Sequence, residues 1–334
     1  MDLSGADQTR LAEWWQAALA GPQQLPSGLE LVHARLVRSV GRGVLPDCGP
    51  VYVKLMWFPR AKDRMRYATR PLPGVHEAKM FQHCRAHGLR VPVVVAVRAR
   101  RQFGLPRLSM LVTASLTVRS EPPTVESMVE VVQQLIAAGL FHPDLHAGNF
   151  LPLEDGSVAV IDLQSARVRS GGLSDRDRQA MFAKLLDPTQ GTRADRLGEA
   201  LVQQGVCSTD EISLATAEGA ALSRRELARR IRRCLRESTE FSVRSSLFGT
   251  LYRRRVADTL GESVEGGSEL IRYWIGDRCL ETLDSRTPIC RALYRGRWPR
   301  RHRLYVGDGG GVALASAADR LHRAYARYQE LDHN

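Results

Sequence analysis

The stretch His142–Gln164 reads HPDLHAGNFLPLEDGSVAVIDLQ. Phe150–Asp155 and Ser157–Asp162 are short strand candidates, and Asp155-Gly156 falls at the hairpin turn between them. A hairpin brings its two ends together. The segment just before Phe150 therefore meets the segment at Asp162, and Asp144, Asn149 and Asp162 converge on one spot.

Two carboxylates and an amide oxygen at one spot make a hard-oxygen site. That donor set suits Mg²⁺, which takes one or two protein carboxylates and completes its shell with water and phosphate oxygens. A hydroxyl nucleophile beside such a site needs a carboxylate to accept its proton. Three residues cover both tasks if one aspartate stays off the metal. The plainer alternative is that these are turn and cap residues, which Asp and Asn favour.

Working outward, Thr124–Leu140 reads as a helix with Thr124 as N-cap, apolar residues at helical spacing and Gly139 as its stop. Upstream, residues 9–20 fit an amphipathic helix ended by Pro22, Pro26 and Gly28. Residues 29–43 alternate as one half-buried strand, followed by a loop of Gly41, Gly43, Pro46, Gly49 and Pro50. VYVKLMWF (residues 51–58) is a strand rich in β-branched and aromatic residues. A helix over 76–88 and two or three strands over 89–116 complete this half. Downstream, three helices are expected within 174–237, then a basic strand or hairpin region over 291–311 and a last helix over 317–331.

The spacing Asp144-x-x-x-x-Asn149 is that of a kinase catalytic loop. Asp162, thirteen residues on and across the hairpin, falls where a metal-binding aspartate belongs. Lys54 at the end of a strand, with Glu77 on the next helix, supplies the lysine that holds phosphates and the glutamate that orients it. The order Lys54, Glu77, Asp144, Asn149, Asp162 resembles the protein-kinase-like fold. The fold class expected is α+β and bilobal, with a β-rich N-lobe and a mainly helical C-lobe.

The details differ from eukaryotic-type protein kinases. His146 stands where their lysine follows the aspartate, Pro143 replaces the arginine of the loop, and Asp162-Leu163-Gln164 replaces D-F-G. No A-P-E triplet follows, so no activation-loop switch is expected.

GPVYVKLM around Lys54, HEAKMFQHCRAHGLRVPVVVAV around Glu77 and HPDLHAGNFLPLEDGSVAVIDLQSAR instead resemble the bacterial lipopolysaccharide core kinases, the Kdo/heptose kinase family. The resemblance spans roughly residues 35–170. It implies transfer of the γ-phosphate of ATP to a sugar hydroxyl of the lipopolysaccharide inner core, in the cytoplasm at the inner face of the inner membrane. It implies Asp144 as catalytic base, Asn149 and Asp162 as Mg²⁺ ligands, and Lys54 and Glu77 as the phosphate-holding pair. Gly41 and Gly43 are the candidates for a nucleotide-covering loop. Tyr52 occupies a place where a small residue usually lies against the base. His142 is expected as a buried hydrogen-bonding support, while His146 is either loop filler or a substrate contact.

The expected organisation is an N-terminal helix and linker over 1–30, an N-lobe over 31–116, a C-lobe over 117–245 and a basic C-terminal extension of that lobe over 246–334. The composition, 43% hydrophobic and 25% charged, excludes disordered and fibrous classes. No apolar run approaches the roughly 18 residues of a bilayer span, and the first residues lack the basic and apolar regions of a signal peptide. Six scattered cysteines without CxxC spacing point to thiols rather than zinc or disulfides.

A net charge of +12, with only four lysines among 48 basic residues, implies an anionic partner or an arginine-rich background. An anionic sugar substrate and an anionic membrane surface both fit. The basic helix 224–237 is read as packed by its stripe Leu227, Ile231 and Leu235. YRGRWPRRHR (294–303) mixes Arg and Trp, but no RNA-binding motif accompanies it, so nucleic acid is not the expected partner. Rival classes are the same chemistry on another small molecule or a protein, a pseudokinase scaffold, and a nucleic-acid binder.

Overall fold

The computed structural model describes residues 3–21, 25–35, 37–186, 192–238, 240–255, 262–284, 290–297, 301–307 and 310–333. Two compact units divide the chain, Met1–Ala220 and Ala221–Asn334.

The first unit opens with α1 (Gly5–Ala20), whose N-cap Ser4 side chain accepts from the Asp7 N–H. Next come β1 (Glu30–Arg35), β2 (Arg38–Leu45), β3 (Gly49–Trp57), α2 (Ala61–Arg66), α3 (Pro73–Ala86), β4 (Val94–Gln102) and β5 (Leu105–Ala114). The strands form one antiparallel sheet in the order β1-β2-β3-β5-β4.

Along β3 the side chains alternate. Val51, Val53, Leu55 and Trp57 are buried in a core shared with Leu11, Trp14 and Ala18 of α1. Tyr52, Lys54 and Met56 take the other, half-exposed face.

Residues 29–43, expected as one strand, fold as the β1–β2 hairpin. The expected glycine loop is therefore not a loop: Gly41 and Gly43 lie inside β2, paired with Val53 and Val51. A Cβ on Gly43 would sit 2.6 Å from Leu29 Cδ2 and 3.0 Å from the Trp14 ring. These glycines let α1 and the Leu29 segment close on the sheet, so packing accounts for them. The following turn is held to α1 by Asp7, whose carboxylate accepts from the Asp47 N–H at 3.0 Å and the Cys48 thiol at 3.1 Å.

The rest of this unit is mainly helical. It contains α4 (Val125–Ala137), β6 (Leu140–Phe141), β7 (Phe150–Pro152), β8 (Val158–Val160), β9 (Arg167–Val168), α5 (Asp175–Leu185), α6 (Thr192–Gln203) and the first half of α7 (Thr209–Arg232), whose second half belongs to the second unit. Thr124 caps α4 through the Ser127 N–H. The apolar stripe Met128, Val129, Val132 and Leu135 is buried in a core that also takes Phe81 and Cys84 of α3. β7 pairs with β8, β6 pairs with β9, and Gly156 takes a positive φ in the turn between β7 and β8. The architecture of this unit is a β-rich N-lobe followed by a mainly helical lobe.

The second unit carries its own sheet. β10 (Phe241–Ser245), β11 (Gly249–Arg254), β12 (Glu262–Gly266), β13 (Cys290–Gly296) and β14 (His302–Val306) are antiparallel in the order β10-β11-β13-β14-β12. α8 (Glu269–Asp284) and α9 (Gly310–His333) contribute Trp274 and Leu321 to a core with Phe241, Leu293 and Leu304. The expected boundary at 245/246 falls inside the β10–β11 hairpin. The unit begins earlier because β10 supplies Phe241 to this core and Ile231 on α7 packs there too. Residues 246–334 thus belong to a separate α+β unit rather than an extension of a helical lobe. None of the six cysteines forms a disulfide among the described residues. Among the described residues, no helix is long and apolar enough to cross a membrane.

Candidate active site

Lys54 reaches the site because β3 register turns it to the half-exposed face, opposite Val40 and Leu111. Glu77 is brought to it by the close seating of α3. Gly74 in the first turn donates its N–H to Ser109 Oγ at 3.0 Å, and a Cβ there would lie 2.8 Å from the same oxygen. Lys54 Nζ donates to Glu77 Oε1 at 2.6 Å. Burial pushes the Glu77 carboxyl upward, and the Lys54 charge and hydrogen bond only partly counter that. Tyr52 lies on the same strand face, two residues before Lys54.

The loop after β6 is built on two imidazoles. His142 is buried, and its Nδ1 accepts from the Asp144 N–H at 3.3 Å. Burial lowers its pKa against the raising pull of Asp144 and Asp162, which keeps the ring a neutral acceptor. His146 Nδ1 accepts from the Gly148 N–H at 3.1 Å, and Asn149 Oδ1 accepts from the His146 N–H at 2.8 Å. Together they cap the single 3₁₀ turn Ala147–Asn149. His146 is thus a turn cap, as His142 is a buried support. The Asp144 side chain stands out from this frame, about 61% exposed, with Lys184 Nζ of α5 at 3.5 Å from its Oδ1.

Asp162 follows β8 in the left-handed conformation, φ 60° and ψ 48°. A non-glycine residue there is uncommon, and Asp tolerates it better than most. The preceding Ile161 donates its N–H to the Asn149 carbonyl at 3.0 Å, so the open end of the hairpin does set Asn149 against the Asp162 segment. Asp162 Oδ1 lies 3.4 Å from Lys54 Nζ and 3.4 Å from Arg38 Nη2. Burial alone would raise its pKa, but Lys54 and Arg38 outweigh that and lower it. The result is an ionised carboxylate with both cations on one oxygen. The Asn149 backbone is tied to this segment through Ile161, and its amide oxygen accepts from the His146 N–H. One carboxylate and one amide oxygen are hard and few, which fits Mg²⁺ with phosphate and water completing the shell.

The structure therefore gathers Lys54, Glu77 and Asp162 directly, with Asn149 joined through the hairpin and Asp144 held by the His142 frame. Gly41 is instead buried against the Leu25–Glu30 segment, and Gly43 against Leu29 and Trp14 of α1. Two participants had no place in the sequence reading. Arg38 is hidden by the abundance of arginine, and its partner is 124 residues away. Lys184 had a usable signal, since it is one of only four lysines. A cavity of about 510 Å³ lined by Trp57, Phe58 and Leu105 holds none of these groups.

No protein-family model and no curated protein matches the chain. Among solved structures, it is similar to WaaP in complex with acyl carrier protein, with 20% identity and a TM-score of 0.42 over 68% of this chain and 98% of that one. Two structures of WbdD, one described as monomeric, show 14% and 15% identity and a TM-score of 0.36 each. The match spans 43% and 44% of those chains. Similarities of this size assign neither an activity nor a substrate.

Proposed function

We propose that this chain is an ATP- and Mg²⁺-dependent kinase with an alcohol acceptor, namely a Kdo or heptose hydroxyl of the lipopolysaccharide inner core. The observation that carries the phosphotransfer reading is the Lys54–Glu77 ion pair reaching Asp162, with Asn149 held beside it by the hairpin. Phosphoryl transfer needs little covalent chemistry from a protein; it needs positioning and charge. Lys54, held by Glu77, neutralises phosphate oxygens, and Arg38 adds a second positive charge at the same carboxylate. Asn149 and Asp162 hold Mg²⁺, which neutralises charge on the β- and γ-phosphates when bound. Asp144 accepts the proton of the attacking hydroxyl. Its exposure leaves it open to an acceptor from solution.

The acceptor rests on the resemblance of the three sequence segments and on the arginine excess, which suits a substrate carrying carboxylates and phosphates. Such a substrate would place the protein at the cytoplasmic face of the inner membrane. A scaffold reading draws on one observation: Asp162 Oδ1 is already shared by two cations.

The test is thermal stability with and without Mg²⁺-ATP, alongside Asp162→Asn. A ligand at 100 times its Kd adds about 2.7 kcal/mol. A shift that requires Mg²⁺ and is lost in the variant supports the site; no shift at millimolar nucleotide favours the scaffold. Transfer of labelled γ-phosphate to inner-core glycolipid, but not to unrelated alcohols, then tests the acceptor.

A further inference from the structure

The sheet of the second unit has two unlike faces. Val243, Tyr252, Leu293, Leu304 and Val264 are cross-strand neighbours on the face that shares a core with α8 and α9. The alternate row on the opposite face runs Arg244, Leu251, Tyr294, Arg303 and Glu265. At its end the β10–β11 turn presents Leu247 and Phe248, 86% and 70% exposed.

The turn is fixed rather than loose. Ser246 donates its N–H to the Gly249 carbonyl at 2.7 Å, and Arg297 donates its N–H to the Phe248 carbonyl at 2.8 Å. Gly249 is required there, since a Cβ would lie 2.6 Å from the Arg295 carbonyl. Two large apolar side chains are thus held in water on a rigid apex.

The uncompensated charge around the apex is positive. Arg244 and Arg301 are exposed and have no carboxylate partner among the described residues. The one carboxylate of the row, Glu265, is taken up by Arg303 at 2.6 Å. Phe248, Tyr294, Tyr305, Arg301 and Arg303 also line a hollow of about 440 Å³, together with the Arg303-paired Glu265. Apolar residues at the tip, tyrosines behind them and arginines around them match the layers of a bilayer interface: acyl boundary, headgroup level and anionic phosphates.

We propose that the β10–β11 apex and the Arg244–Tyr294–Arg303 face of the second unit dock on an anionic phospholipid surface. Leu247 and Phe248 enter the acyl boundary, and Arg244 and Arg301 meet lipid phosphates. A nucleic acid fits less well, because aliphatic Leu247 offers a base no stacking face. The surface lies in the second unit and does not depend on the phosphotransfer reading.

The experiment is sedimentation of the full chain with vesicles of phosphatidylcholine alone or with one quarter phosphatidylglycerol. The expected result is binding to the anionic vesicles only. Binding should weaken about tenfold or more in Leu247→Ser/Phe248→Ser and about fivefold for each of Arg244→Gln and Arg301→Gln. These positions are exposed, so melting temperatures should not move. As a readout independent of loss, Phe248→Trp should shift its emission to the blue on anionic vesicles. Failure to bind anionic vesicles at low salt, or equal binding by the Ser/Ser variant, overturns the proposal. Displacement of the vesicles by single-stranded RNA that binds the Ser/Ser variant equally well also overturns it, in favour of nucleic acid.

Discussion

In the first unit, Arg38, Lys54, Glu77 and Asp162 form one charged cluster; in the second, Arg254, Arg278, Asp277, Glu281 and Glu240 form another. The second is closed. Arg254 donates to the Cys290 carbonyl at 2.7 Å, Glu281 at 2.7 Å and Asp277 at 3.1 Å, and Asp277 also accepts from the Cys290 N–H at 3.0 Å. Its guanidinium lies over Phe241 at 5.2 Å and Trp274 at 5.5 Å. Arg278 bonds Glu281 and Glu240 and lies over the same Phe241 ring. The first cluster is open: Lys54 and Arg38 are each about 24% exposed, Asp162 about 34%. Both cations crowd one oxygen of Asp162. Two groups of similar composition thus serve different ends. The Arg254–Asp277 pair at the centre of the second cluster, 6% and 2% exposed, pins strands to a helix, whereas a pair with access to solvent can exchange partners with a ligand.

Breaking the closed cluster should cost fold. Asp277→Asn leaves Arg254 buried and under-compensated, and loss of one partner of a buried pair costs about 3–5 kcal/mol. Denaturant unfolding should show that loss, while nucleotide binding per folded molecule stays the same. An unchanged midpoint would remove the distinction between the clusters.

The open site should behave the other way. Asp144→Ala is expected to lower turnover by about 10²–10⁴-fold, with stability within about 0.5 kcal/mol because the side chain is exposed. Steady-state phosphotransfer and thermal melts, measured together, decide it. Equal turnover in the purified variant would deny Asp144 the role of base.

Gly43→Ala separates packing from nucleotide covering. Overpacking against Trp14 and Leu29 should cost about 1–3 kcal/mol, with Michaelis constants for ATP unchanged in the folded fraction. A raised constant with unchanged stability would return Gly43 to the nucleotide.

The smallest expected effect concerns His142. Its pKa is depressed in the folded chain by burial, while the unfolded chain protonates near the ordinary value of about 6.5. The folded state then binds fewer protons, so this stability is present above about pH 6.5 and is lost as pH falls below it. Melting temperature followed from pH 7 to 5 should fall less steeply in His142→Asn, and an unaltered slope would mean the imidazole is not held neutral.

Much of the first unit was legible because its signals are local. The Asp155-Gly156 turn, the Thr124 cap and the two-residue alternation of β3 each lie within a few residues. The meeting of Lys54 with Asp162 was legible only through the resemblance, since 108 residues separate them. The β1–β2 hairpin was missed because residues 29–43 alternate without an obvious turn residue, and glycines that serve Trp14 look like loop glycines. Of the second sheet only β13 and β14 were legible, as the basic strand or hairpin region over 291–311. The sheet's outward row mixes Leu251 and Tyr294 with Arg244, Arg303 and Glu265, and its buried face includes Arg254, so apolar periodicity says little about the other strands.

The left-handed backbone at Asp162 also bears on how such a chain can change over generations. Besides Asp, the residues that tolerate this conformation most readily are Asn and Gly. Both lie a single base away from either aspartate codon. Losing the carboxylate while keeping the backbone shape is therefore among the shortest mutational steps open to the gene. A descendant that keeps its fold and has lost this charge is separated from the present sequence by one substitution.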